Sequence, residues 1–392
     1  LLPSLYRASE QGYLKNFIVD EAHLVVQWGD VFRPEFQSIS GVRRGLMEMS
    51  PTHSKFKTVL MSATMSKETY TSLKTMFANK DEFQLVNATS LRPEPQYWSQ
   101  FFKTPYEKNT ALMQVAHNSP RPLIIYTTKV EDSENIKSEL DAFGFERVAC
   151  YTGKTGGNLR RKILTDWSDS KLDIIVATSA FGVGIDKLNV RTVIHATVPE
   201  TADRFYQEVG RGGRDGKVCG SLMLYDDKDK KMAERMSVPG YLSIDNAYDR
   251  WFGMNSSSAI PEINSRDLKL VDTRIVPPNL HQETEYNQGW NVKTLVMMAR
   301  GGLIEFRSKP PSMLTQEPSE SVEKYEERSG KYWEDYFSKE LILIKDPNIN
   351  NKAYFEKVIS AEISRSVSIY SEQFESFLGY LSGNQDFGRC LQ

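Results

Sequence analysis

Up to about Met236 the sequence alternates short apolar segments of strand length with amphipathic helical stretches. That alternation restricts the fold more than any other feature, because strand–helix–strand repeats cover both faces of a parallel sheet and disfavour sandwiches and bundles. Strands are expected to end at Asp20, Met61, Val86, Thr127, Tyr151, Thr178, Thr197 and Tyr225. Leu91-Arg92-Pro93-Glu94-Pro95 is hostile to helix, since each proline restrains itself and the residue before it, and it marks a boundary. After Pro239 the alternation stops, and Asn255 to Pro261 and Pro277-Pro278 mark irregular connections. The expected class is α/β: an incomplete parallel-sheet domain over 1–92, a second over 93–238, and a mixed, mainly helical accessory region over 239–392.

Composition narrows the function. Lys and Arg number 49 against 51 Asp and Glu, a formal net charge of -2, so contact with nucleic acid must be local rather than through a global basic field. Cys150, Cys219 and Cys390 are the only cysteines and lie far apart, which excludes a disulfide framework and a four-cysteine metal site; no zinc is expected. Apolar runs such as Ile174 to Ala177 fall well short of the roughly 20 residues that cross a bilayer. No membrane partner is expected, and the chain reads as cytoplasmic. It opens Leu-Leu-Pro and is already in a strand by Phe17, which predicts a start inside a larger domain.

The chemistry-bearing motifs follow one another. Phe17-Ile18-Val19-Asp20-Glu21-Ala22-His23 reads as a buried strand delivering two carboxylates to the C-terminal edge of a parallel sheet, where ligands bind. Phosphoryl transfer uses such a pair, one carboxylate for the magnesium held with ATP and one for the attacking water. Asp20 is assigned to magnesium and Glu21 to water; an ordinary acidic turn fits the same letters. Leu60-Met61-Ser62-Ala63-Thr64 places hydroxyls at another strand end, where they can bond a neighbouring loop. Ile174 to Asp186 is a strand running into a loop with Gly182 and Gly184, and glycines there let backbone amides approach a phosphate closely. Thr178 is read as a contact to a nucleic-acid backbone, Gly184 and Asp186 as facing the nucleotide; a tight strand-to-helix turn would also explain the glycines. In Gln207 to Gly216, Arg211 and Arg214 lie three apart, and guanidinium forks match the oxygens of a transferring γ-phosphate. Arg214 is the expected arginine finger, with Gln207 beside it. Gln27 to Phe36 crowds Trp28, Phe32 and Arg33 into a loop, and bases stack on such rings at roughly 1–3 kcal/mol each. Core burial is the other reading of those aromatics.

In this order the motifs resemble those of RecQ-like helicases of superfamily 2: an Asp-Glu-Ala-His box, a Ser-Ala-Thr motif, the fifth motif through Asn189-Val190-Arg191, and most closely the sixth at Gln207 to Gly216. The resemblance fades after the second domain. It implies two RecA-like domains, ATP and magnesium as cofactors, and hydrolysis coupled to unwinding of DNA from 3′ to 5′ on single strands or single-stranded/duplex junctions. It further implies that His23, Ser62 and Thr64 couple hydrolysis to domain movement, that the Trp28 loop senses single-stranded DNA, and that Gly153 lies near DNA. The loop departs from the family at Val26 and Asp30, where serine and histidine are common. The chain also resembles the DpdF proteins of bacterial DNA-modification and defence clusters, which implies defence or repair partner proteins.

Such a motor needs G-x-x-x-x-G-K-[ST] to cradle phosphates. Gly153-Lys154-Thr155 lacks the leading glycine, because position 148 is Val148, and it follows the acidic box instead of preceding it. The expectation is therefore an N-terminally truncated motor; the alternative is a catalytically incomplete nucleic-acid-binding subunit. Gly289 to Phe306 reads as a helix, a Gly-Gly break and a strand. This resembles the recognition helix and wing of a winged helix near 282–310, and fits equally a helix–strand corner in any small domain. From Ser319 to Phe377 helical spacing puts Lys324, Glu326, Lys331 and Glu334 on solvated faces.

Overall fold

The computed structural model describes all residues except 26–34, 79–82, 88–89, 183–185, 239, 259–266, 278–284, 309, 385 and 391–392. The chain begins with helix α1 (Leu2–Glu10), strand β1 (Asn16–Val19), α2 (Glu35–Met49), β2 (Lys57–Leu60) and α3 (Lys67–Phe77). Next come β3 (Pro95–Phe101), α4 (Pro105–Asn118), β4 (Leu123–Tyr126), α5 (Val130–Ala142), β5 (Val148–Tyr151), α6 (Gly157–Ser168), β6 (Ile174–Ala177), β7 (Thr192–His195), α7 (Ala202–Val209), β8 (Cys219–Tyr225) and α8 (Asp227–Ser237). The remainder holds α9 (Ile244–Ser256), β9 (Leu268–Asp272), α10 (Glu285–Arg300), β10 (Ile304–Arg307), α11 (Val322–Phe337), β11 (Lys339–Ile344), α12 (Lys352–Leu381) and α13 (Phe387–Cys390). Two compact units result, Leu1–Val86 with Pro239–Ser368 and Asn87–Val238 with Ile369–Gln392. Residues 239–392 are thus divided between them.

The second unit is built on a six-stranded, all-parallel sheet ordered β3-β8-β7-β4-β6-β5. Its central strands β4 and β6 are apolar without a break because both faces are covered. Leu123 and Ile125 point to one side, against Leu112 and Ala116 of α4 and Leu140 of α5. Ile124 and Tyr126 point to the other, against Ile163 and Trp167 of α6. Helix α4 starts where it does because Thr104 accepts from the Glu107 amide while the Glu107 carboxylate accepts from Thr104 N, satisfying two donors the helix leaves open.

In the first unit β1 and β2 pair in parallel, with Phe17 opposite Thr58 and Val19 opposite Leu60 on the covered face. Val19 and Leu60 meet Leu73 and Phe77 of α3, and Phe17 joins Tyr6 and Leu46 from α1 and α2. The sequence pattern predicts a buried strand here. Instead Ile18 and Val59 are 58% and 40% exposed, because no described helix covers their side. The accessory residues of this unit form an antiparallel sheet ordered β10-β11-β9 over α9, α10 and the start of α12, with Trp251, Leu295, Met298, Ile342, Phe355 and Ile359 at its centre. Helix α2 lies against edge strand β10. A Cβ on Gly41 would sit 3.0 Å from Arg307 O, and one on Gly45 would sit 3.0 Å from Ser308 O, so glycine is what permits this approach. Arg44 donates to Phe306 O at 3.0 Å and Met76 O at 2.6 Å, tying helix, strand and α3 together.

Three elements correct the sequence reading. No strand ends at Val86, which is 89% exposed; 83–87 lies in no helix or sheet ladder. Strand β3 begins at Pro95, inside the stretch taken for a connection, because the first residue of an edge strand needs no amide. Strand β11 interrupts the region expected to be helical, where Leu341 and Ile342 turn into the core.

Candidate functional site

In the first unit the acidic box sits at the C-terminal end of β1 and meets the Ser-Ala-Thr turn at the end of β2. The parallel ladder continues past both strands, with Met61 N donating to Val19 O at 2.9 Å and Ala22 N to Met61 O at 2.7 Å. Between them Glu21 takes a left-handed conformation, φ 51°, and its amide donates to Asp20 Oδ1 at 2.9 Å. A non-glycine residue held there costs on the order of 1–3 kcal/mol, and such strain gathers at functional turns. The backbone reversal leaves the Glu21 side chain 49% exposed while His23 is buried.

His23 Nδ1 lies 2.8 Å from Ser62 Oγ. The Ser62 hydroxyl donates to Thr64 O at 2.5 Å, so the proton between Ser62 and His23 belongs to the imidazole, which donates from Nδ1. Burial drives the His23 pKa down to about 4, opposed by the charge of Asp20, so the ring is neutral near pH 7. Glu21 Oε2, 3.3 Å from Nδ1, therefore faces a dipole and not a cation. Thr64 is buried, and its hydroxyl has no hydrogen-bond partner among the described residues. Asp20, Glu21, His23, Ser62 and Thr64 thus form one cluster.

The second unit brings Arg214 to Asp186 and Arg211 to the loop that follows Thr178, while Gln207 lies on α7 just before the arginines. Thr178 is buried just beyond β6, its amide donating to Tyr151 O at 3.2 Å. Arg214 donates from Nη1 to Asp186 Oδ1 at 2.7 Å, joining the fifth and sixth motifs. Arg211 follows α7 and reaches beneath Gly182, where a Cβ would lie 3.5 Å from its Nη2. The Tyr126 hydroxyl donates to Phe181 O at 2.9 Å and also bonds Arg211, so one buried phenol touches both loops. Gly153 is exposed in the loop between β5 and α6; its carbonyl accepts from Arg160 at 2.7 Å. Trp28, Phe32, Arg33 and Gly184 lie outside the described residues.

Sequence reasoning gave no role to the groups beneath this cluster. Glu208 Oε2 meets His195 Nε2 at 2.9 Å and Glu208 Oε1 accepts from Arg204 Nε at 2.9 Å, while Arg204 also pairs with Glu200. Burial pushes the Glu208 pKa up, but Arg204 and His195 more than offset it and hold the group at about 2. The available signal was Glu200, Arg204 and Glu208 at four-residue spacing, running from just before α7 along it. Among the described residues no three potential His, Cys, Asp or Glu ligands converge on one point, and no helix is long and apolar enough to cross a membrane.

Residues 107–216 match the family described as Helicase conserved C-terminal domain. The chain is 29% identical over 220 residues to the probable ATP-dependent DNA helicase RecS of Bacillus subtilis, spanning 56% of this chain and 43% of that protein. It is 30% identical over 279 residues to ATP-dependent DNA helicase Q-like 4B of Arabidopsis thaliana, covering 68% and 22% respectively. To ATP-dependent DNA helicase RecQ of Bacillus subtilis it is 30% identical over 217 residues, 54% of this chain and 34% of that one. The chain therefore spans less than half the length of these relatives.

Proposed function

We propose, from the premise that this chain belongs to the RecQ-like helicases of superfamily 2, that it works in a motor coupling ATP hydrolysis to DNA unwinding. The observation that carries the proposal is the cluster in which the acidic box and the Ser-Ala-Thr turn share a ladder and a His23–Ser62 hydrogen bond. When bound, ATP would supply the phosphoryl group that passes to water, and magnesium carried with it would offset the charge of the phosphates. Asp20 is the carboxylate placed to help hold that magnesium. One carboxylate beside phosphate and water oxygens is enough to hold this ion. Glu21 orients and deprotonates water. Arg211 and Arg214, with Gln207, stabilise charge on the transferring group. His23, Ser62 and Thr64 pass a change at Glu21 to the end of β2. Trp28, Phe32, Arg33, Thr178 and Gly153 are assigned to DNA.

Helix α9, β9, α10, β10 and β11 follow one another in the order of a winged helix, with α11 inserted where the wing would be. On this reading α10 is the element offered to duplex DNA.

In the native protein single-stranded DNA should stimulate ATP hydrolysis, and Glu21→Gln should lower the rate by roughly 10²-fold or more. An unchanged rate in that variant would sink the assignment. A protein that binds DNA and hydrolyses no ATP in either form is instead a nucleic-acid-binding subunit. Faster strand displacement from 3′-tailed than from 5′-tailed duplexes would support movement from 3′ to 5′, and weaker stimulation by RNA would support DNA as the track.

A further inference from the structure

We infer that Arg92 is a positioning residue that latches the arginine loop; its catalytic consequence rests on the hydrolytic role proposed for Arg211 and Arg214. Arg92 lies between Leu91 and Pro93 in the extended segment that enters the second unit. Its Nη1 donates to Gly210 O at 2.8 Å and its Nη2 to Gly213 O at 2.9 Å. These two carbonyls bracket Arg211 in sequence, and the second immediately precedes Arg214. Gly210 O also accepts from Arg214 Nε at 3.2 Å, so one carbonyl ties Arg92 to the expected finger. Glu94 Oε2 accepts from Arg92 Nε at 3.2 Å and fixes the plane of the guanidinium. The Arg92 amide donates to the Tyr206 hydroxyl at 3.3 Å, which adds a second tie from the same segment to α7.

The loop cannot relax easily into another shape. Gly213 has φ 64°, and a Cβ there would lie 2.6 Å from Lys217 O and 2.9 Å from Glu94 Cβ. A Cβ on Gly212 would overlap the sulfur of buried Cys219. On the far side Gly213 N donates to Val190 O at 3.0 Å and Asp215 N to Leu188 O at 3.1 Å. Arg191 holds the Asp215 carboxylate and Asp186 holds Arg214, while Arg92 restrains the two backbone carbonyls with a planar fork. A lysine has one nitrogen and cannot occupy both donor positions at once. Groups that stabilise a transition state work by being held in place beforehand, and a misplacement of about 1 Å can cost about 10²-fold in rate.

The test uses Arg92→Ala and Arg92→Lys in the native protein, with Arg147→Ala as the control. Arg147 likewise bonds two backbone carbonyls, those of Ser170 and Lys171, away from this loop. Arg92→Ala should raise amide hydrogen exchange over 212–216 and lower kcat for DNA-stimulated ATP hydrolysis about 10-fold or more, with KM for ATP changed less than about 2-fold. Arg92→Lys should fall between, and Arg147→Ala should match the unsubstituted protein. Unchanged exchange in Arg92→Ala overturns the latch, and loosened exchange with normal kcat overturns the positioning role. If the unsubstituted protein hydrolyses no ATP, the hydrolytic reading fails, while the exchange measurement still decides whether Arg92 holds the loop.

Discussion

Glu208 is a carboxylate only 5% exposed, and it stays charged because Arg204 and His195 both meet it. Removing one partner of a buried ion pair costs more than the pair contributes, since the other charge is left without compensation. Glu208→Gln should therefore destabilise the second unit by about 3 kcal/mol, read as a lower denaturant midpoint with an unchanged slope. His23 gives a prediction in pH. Its folded pKa of about 4 lies below the ordinary 6.5, so between those values the unfolded chain binds a proton that the folded one refuses. Stability contributed by neutral His23 is complete above pH 6.5 and is lost as pH falls toward 4, on the order of 3 kcal/mol in all. His23→Gln should flatten that part of the stability profile; an identical profile in both proteins would refute the assignment. Asp20, Glu21 and Arg214 could be read as candidates from their letters because carboxylate pairs and paired arginines have few other uses in that order. The left-handed turn at Glu21 and the imidazole tautomer could not, since both depend on Met61, Ser62 and Thr64 arriving from another strand.

Helices and strands of the second unit follow the apolar pattern closely because both sheet faces are covered, so β4 and β6 are continuously hydrophobic. The pattern misled where edges are concerned. Pro95 in β3 and the Lys339-Glu340 start of β11 carry signals usually assigned to connections, and their partners β8, β10 and β9 lie far off in sequence. The contact of α2 with β10 is similarly invisible until Gly41 and Gly45 are seen against Arg307 and Ser308. In an isolated helix replacing glycine gains about 1 kcal/mol at most. Here Gly41→Val should instead cost about 1–3 kcal/mol, because the opposing atoms are backbone and cannot rotate away. Differential scanning calorimetry of the variant would show the sign directly, and a raised midpoint would refute the close-approach argument.

At the scale of the molecule, the expected boundaries at Leu91–Pro95 and Pro239 rest on prolines that interrupt elements and alternation, while the compact units change after Val86 and Val238. The return of the chain's last stretch to the second unit could not be anticipated, since a 30-residue amphipathic helix reads the same whichever core it serves. Helix α12 places Phe355 and Ile359 in the core of the first unit and Phe374, Phe377 and Leu381 in that of the second. Those last residues and Phe387 lie against Phe205 and Val209 of α7, the helix that leads into the arginine loop. Ending the chain after Ser368 should therefore cost the second unit more than the roughly 3–5 kcal/mol of a single buried phenylalanine. Faster amide exchange over 198–225 would report it. The chain passes from one unit to the other three times, after Val86, Val238 and Ser368, so neither unit is a continuous stretch of polypeptide. During synthesis, then, the first unit stays unfinished until Ser368 has emerged from the ribosome and the second until α12 and α13 have followed, so apolar surface of both units is uncovered at the same time.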